Sequence, residues 1–157
     1  MGEAESGPDG RCPCGAVSFL ISGRALLRAY CHCTTCREFN GTDVADVTVF
    51  RAADVVVENE AGVEYRGYQR PALARRGKCT RCDRPAVERA SIPLGLDVVI
   101  LPSGNVHREG LLPAPSMHIF YDRRTADARD DLPKRGGMIA SQSSFLLALF
   151  KASRRRD

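Results

Sequence analysis

No run of apolar residues in this chain is long enough to cross a membrane. The longest candidate, Phe145 to Phe150, falls far short of the length a spanning helix needs. The N-terminus, Met1-Gly2-Glu3-Ala4-Glu5-Ser6, lacks the basic-then-apolar order of a secretory signal. A cytoplasmic protein without a membrane partner is the expectation. The excess of one charge sign over the other is also small. The formal net charge is +4, and much of it sits in the terminal Arg154-Arg155-Arg156. Such a run reads as a solvated tail, so nucleic acid is not an expected partner. Convincing helical patterns are few, and no internal repeat is visible beyond the recurrence of cysteine pairs. At 157 residues the chain suits one domain with a buried core and a terminal extension.

Cysteine is what the chain does have. Seven occur in three tight groups: Cys12-Pro13-Cys14, Cys31-His32-Cys33-Thr34-Thr35-Cys36 and Cys79-Thr80-Arg81-Cys82. In a reducing compartment, clustered thiols read as metal ligands before disulfides, and an odd count leaves one without a disulfide partner. Zinc needs thiolates converging at about 2.3 Å, and C-x-C or C-x-x-C turns bring sulfurs that close at small entropic cost. The C-x-C pairs do not follow the usual iron–sulfur spacings. Seven ligands divide into a closed set of four and a set of three, and three protein ligands with an open position is the arrangement of a catalytic zinc.

Side chains two apart in an extended chain point the same way, so Cys12 and Cys14 can grip one ion. The Cys79–Cys82 knuckle turns both of its sulfurs inward. One zinc shared by these pairs would close well over fifty residues of chain and act as a folding element. Cys31, Cys33 and Cys36 can hold a second ion. Three thiolates more than cancel a divalent charge, which makes a poor activator of water but a suitable seat for a substrate sulfur. His32, Asp46, Asp83, His107 or His118 could instead complete that site and close it. By strand alternation His32 points away from the metal of its neighbours, and His118 reads as a buried, hydrogen-bonded histidine or a proton carrier.

Alternating or short apolar runs predict strands near 16–22, 26–30, 44–50, 55–58, 63–68, 86–90, 97–101 and 117–121, separated by Gly, Pro, Asn and Asp. A short helix is expected over Thr34 to Asn40, capped by Thr34 or Thr35 and stopped at Gly41. A second begins near Ser141, after the Gly136-Gly137 joint. The basic residues Arg70, Arg75, Arg76, Lys78, Arg81 and Arg84 read as a loop around the last cysteine pair. That loop is either merely solvated or a field drawing an anion toward the metal region. Arg37, directly after the three-cysteine group, is the candidate for contacting an anionic substrate.

Gly10-Arg11-Cys12-Pro13-Cys14-Gly15-Ala16-Val17, Tyr30-Cys31-His32-Cys33-Thr34-Thr35-Cys36-Arg37 and Cys79-Thr80-Arg81-Cys82, in that order, resemble the glutathione-dependent formaldehyde-activating enzyme family, which includes the centromere protein V type. Pro115-Ser116-Met117-His118-Ile119-Phe120 and Asp130-Asp131-Leu132-Pro133 look like its closing segment. The resemblance implies a mainly β chain, a β-tent fold of antiparallel strands built around a structural zinc; the short C-terminal helix expected from Ser141 lies beyond the part that resembles the family. It implies that Cys12, Cys14, Cys79 and Cys82 hold a structural zinc and that Cys31, Cys33 and Cys36 hold a catalytic one, two Zn2+ per chain. It also implies carbon–sulfur lyase chemistry, the addition of a thiol such as glutathione to formaldehyde or another small aldehyde.

The alternative is a non-catalytic, zinc-stabilised binding module for a protein or nucleic-acid partner. The expected organisation is a disordered 1–9, a zinc domain over 10–133 and an extension over 134–157. Phe145, Leu146, Leu147, Leu149 and Phe150 in that extension would form a homodimer in preference to burying against the domain. Asp83 stands where the family commonly has Gly after the last cysteine. Asp accepts a left-handed turn better than most residues, so the knuckle should survive. Tryptophan, which the family often carries after its His-Ile-Phe segment, is absent from the chain.

Overall fold

The computed structural model describes residues 7–67 and 74–155. Among the described residues, ten strands and two α-helices alternate with short 3-10 turns. The strands β1 (Gly10–Arg11), β2 (Ser18–Ile21) and β5 (Val55–Glu58) form a small antiparallel sheet in the order β1-β2-β5. The larger sheet contains β3 (Leu27–Cys31), β4 (Ala45–Arg51), β6 (Val63–Arg66), β7 (Ala74–Cys79), β8 (Pro85–Ile92), β9 (Leu96–Pro102) and β10 (His118–Ile119). Its order is β10-β3-β4-β9-β8-β7-β6. Every pairing is antiparallel except β10 with β3, where His118 lies opposite Tyr30 and Ile119 opposite Cys31. The helices are α1 (Thr34–Asn40) and α2 (Met138–Arg154). Neither sheet closes into a barrel. Among the described residues no helix is long and apolar enough to cross a membrane.

Alternation in the strands divides the interior in two. Phe19 and Ile21 of β2 and Val55 of β5 meet Phe50, Val87, Val99 and Leu101 of the large sheet, and Cys12 and Cys79 lie in this cluster. Leu27, Ala29, Val47, Val49 and Val98 form a second cluster, with Cys31 in it and Cys33 and Cys36 packed against it. The two cysteine groups therefore border different cores.

Helix α2 covers the second core. Leu149 and Ser141 are fully buried, and Phe145, Ala148 and Ala152 pack against the same cluster. Its two ends are pinned as well. Phe120 N–H donates to Ser141 Oγ (2.7 Å), and Arg51 and Arg24 donate to the carbonyls of Ser153 and Arg155. The apolar residues of the extension thus bury largely within their own chain, leaving Met138, Ile139 and Leu147 exposed.

Several local expectations need correction. Residues 74–79 form strand β7 rather than a loop, because each basic residue finds a partner there. Arg76 faces Glu88 across the ladder, and the Arg75 guanidinium lies 5.0 Å from the Tyr65 ring centroid. Gly77 sits where a Cβ would collide with Val63 and Tyr65 side chains, so the strand needs glycine at that point. Cys33, not Thr34 or Thr35, caps α1, its sulfur accepting from Cys36 N–H, while Gly41 (φ 64°) ends the helix as expected. Helix α2 starts at Met138, three residues before the expected start, and β1 had no sequence signal. The expected strand 63–68 ends at Arg66; Tyr68, like Arg70 of the basic group, lies outside the described residues. Asp9, within the expected tail, is buried. Its carboxylate accepts from Ile21 N–H and pairs with Arg108.

Candidate metal centres

Two tight turns bring the first group together. Gly15, at φ 79°, closes a turn whose N–H reaches the Cys12 carbonyl at 2.9 Å, and Cys12 N–H bonds the Val17 carbonyl. Asp83 adopts φ 56° and donates to the Cys79 carbonyl at 2.8 Å, so it does take the left-handed position of the knuckle. Cys12 and Cys14 sulfurs lie 3.6 Å apart and Cys14 and Cys79 sulfurs 3.7 Å apart. These three sulfurs and that of Cys82 all fall within 4.8 Å of one another. Tetrahedral arms of 2.3 Å require sulfur–sulfur edges of about 3.8 Å, so the set fits one zinc ion. Burial pushes the Cys12 thiol up, but hydrogen bonding from Val17 backbone and from the Cys14 and Cys79 thiols outweighs it and draws the group down to about 7.

The second group forms where β3 runs into α1. Cys31 and Cys33 sulfurs are 3.4 Å apart, and Cys36 completes a triangle within 4.8 Å. Cys33 is held well below the usual thiol range by hydrogen bonds from Cys31 and Cys36, against its own burial. The Cys31 thiol is pushed up chiefly by its hydrogen bond to Cys33. One thiolate thus shares the protons of its neighbours, and a divalent cation could replace those protons. Among the described residues no histidine or carboxylate joins this triangle. The residues that could have closed it are largely engaged elsewhere. Asp46 binds Arg28 through both carboxylate oxygens, and His32 and His118 bind each other.

A polar chain runs from the buried His32 and His118 out to the exposed Asp130. His32 Nε2 lies 2.8 Å from His118 Nδ1, and His118 Nε2 lies 2.8 Å from Asp130 Oδ2. The Asp130 carboxyl is drawn down to about 2 by the His118 hydrogen bond, with Lys134 also contributing. His32 is 1% exposed, and burial, then His118, pushes its pKa down. Its Nδ1 meets no hydrogen-bond partner among the described residues. Tyr121 stands edge-on to both imidazoles. His118 is buried and hydrogen-bonded, one of the two roles expected for it; its partner Asp130 lies in the closing segment, but nothing in the spacing joins the two.

Arg37 sits in α1 with Nε donating to the His32 carbonyl at 3.1 Å, next to the triangle. The residue that sequence reasoning missed is Glu88. It is 4% exposed on β8 and accepts from Arg76 Nε at 2.8 Å, while Arg76 Nη2 lies 3.9 Å from Cys36 Sγ. A carboxylate at a strand position between Val87 and Arg89 on one side and the alanines 86 and 90 on its own face was the available signal. Arg81 and Arg84 of the expected basic loop are exposed.

A crystal structure of a Rhodobacter sphaeroides protein from a structural genomics programme is similar in fold. Its TM-score is 0.50 at 20% identity, over 66% of this chain and 90% of that one. No curated protein matches the chain at a significant level. The family model described as glutathione-dependent formaldehyde-activating enzyme matches residues 7–123, a span that holds all seven cysteines in the spacing set out above. On that match, the chain belongs to the glutathione-dependent formaldehyde-activating enzyme family.

Proposed function

We propose that the chain is a zinc-dependent enzyme of the carbon–sulfur lyase type, adding a thiol such as glutathione to formaldehyde or another small aldehyde. The observation that carries this reading is a triangle of three cysteine sulfurs with no fourth protein ligand among the described residues. In the reaction the sulfur–carbon bond forms as the carbonyl π bond breaks, and the thiol proton passes to the oxygen. Zinc at Cys31, Cys33 and Cys36 would keep the thiol ionised and polarise the aldehyde.

The protein's own contribution is largely positional, because thiol addition to an aldehyde already proceeds in water. The Cys33 cap and the Cys36 N–H fix the turn that presents the three sulfurs. Arg37, tied through Nε to the His32 carbonyl, stands beside them as the contact for a substrate carboxylate. Cys12, Cys14, Cys79 and Cys82 would hold the second zinc as a folding element at the other core. The domain of 10–133 would then carry the chemistry and 134–157 would cover it, in a cytoplasmic protein. Met138, Ile139 and Leu147 are the apolar surface that the extension leaves for a homodimer. Light scattering of the full chain and of Leu147→Asp tests that contact.

The function itself is tested by zinc analysis together with NMR exchange between formaldehyde and glutathione. Two zinc ions per chain, and exchange faster than in buffer that disappears in Cys36→Ser, are expected. One tight zinc and no acceleration would favour the binding module.

A further inference from the structure

The Arg76–Glu88 pair has no part in the reading above, yet it borders the three-cysteine group. Arg76 is on β7 and Glu88 directly opposite on β8, with side chains only 11% and 6% exposed. Burying two charges is expensive unless the geometry satisfies them, so a pair placed here calls for a reason beyond stability. Its orientation supplies one. Nε is taken by Glu88 at 2.8 Å, which leaves Nη2 directed at Cys36 Sγ, 3.9 Å away. The guanidinium is therefore interposed between the Glu88 carboxylate and the Cys36 sulfur.

Three thiolates already more than cancel a divalent ion, so a fourth anionic ligand would meet repulsion while a neutral one would not. A fixed guanidinium against one of the sulfurs offsets that repulsion. Arginine serves here better than lysine because its planar fork can bind a carboxylate through one nitrogen and face a sulfur with another. We propose that Arg76, oriented by Glu88, determines ligand preference at the three-cysteine site, making it accept a thiolate in preference to a neutral donor. This rests on the reading of that site as a metal centre with an open position, and deepens it by naming the charge of the group it takes.

The test uses the full chain loaded with cobalt(II), whose thiolate-to-metal and ligand-field bands report the donors around it. The closed four-cysteine site should not respond to added ligands, so spectral changes belong to the other. 2-Mercaptoethanol serves as the anionic probe, since it has no carboxylate for other arginines to bind, and imidazole as the neutral one. Arg76→Met should weaken thiol binding at least about tenfold, the scale of a charge-assisted hydrogen bond, and leave imidazole binding unchanged. Arg76→Lys, which keeps the charge but loses the fork, should restore only part of the thiol affinity.

Should Arg76→Met fail to fold because Glu88 is stranded, Arg76→Met/Glu88→Gln removes both charges and answers the same question. An unchanged ratio of the two affinities, or a parallel fall in both, overturns the inference while leaving the metal site intact. Cobalt that enters only the four-cysteine site would refute the underlying reading itself.

Discussion

His118 links the ionised Asp130 to His32, with both hydrogen bonds at 2.8 Å. An ionised carboxylate only accepts, so His118 carries its proton on Nε2 and, when neutral, presents a bare Nδ1 to His32 Nε2–H. His32 is then left with an unprotonated, buried Nδ1. Because Ile119 pairs with Cys31, this chain ties the closing segment to the strand that delivers the three cysteines.

The tautomers give the first prediction. Nitrogen-15 correlation spectra should show both His32 and His118 protonated at Nε2. His118→Ala should strand the His32 Nε2–H and lower stability by about 1–3 kcal/mol in urea unfolding. A His32 signal protonated at Nδ1 would contradict the assignment.

The two metal groups should respond differently to removal of one ligand. Cys79→Ser should cost both a zinc ion and much of the thermal stability, because Cys12 and Cys79 are fully buried in the core beneath the small sheet. Cys36→Ser should lose one zinc while the fold persists. Metal analysis paired with thermal melting distinguishes them, and equal losses of stability would argue against separate roles.

How far these features could be read in the chain depends on their range. The cysteine spacings are local, and both clusters assemble from the residues expected. So does α1, whose Gly41 stop is a property of one residue's backbone. Strand β7 was hidden because Arg75, Arg76 and Lys78 look like solvent-facing charges until Tyr65 and Glu88 arrive from other strands. The parallel pairing of β10 with β3 and the bond from Asp130 to His118 depend on tertiary placement, to which a one-dimensional pattern is blind. Family resemblance supplied the order of motifs but not these contacts.

Glu88 should matter most when it is removed alone. Glu88→Ala leaves the Arg76 guanidinium buried without its carboxylate, and should destabilise by about 3–5 kcal/mol. Replacing both partners, as Arg76→Met/Glu88→Gln, should cost much less, since no isolated charge remains. Urea unfolding of the two variants decides between this and a simple packing role. In the packing case, the double variant would be the worse.

The last prediction concerns α2, whose apolar residues divide sharply by burial. Leu149 is fully buried against the cluster that also contains Cys31, whereas Leu147, two positions earlier, is 61% exposed. Truncating Leu149 removes buried methyl groups and leaves a cavity that pinned neighbours cannot fill, because Arg51 and Arg24 hold the helix end. Leu149→Ala should therefore destabilise by about 2–5 kcal/mol, and Leu147→Ala by no more than about 0.5 kcal/mol. Because Cys33 and Cys36 pack against the same cluster, Leu149→Ala should also loosen zinc at the three-cysteine group, seen as faster loss to a chelator. The four-cysteine group borders the other core and should keep its zinc. If both groups released metal equally fast, the separation of the two cores would not extend to their metal sites.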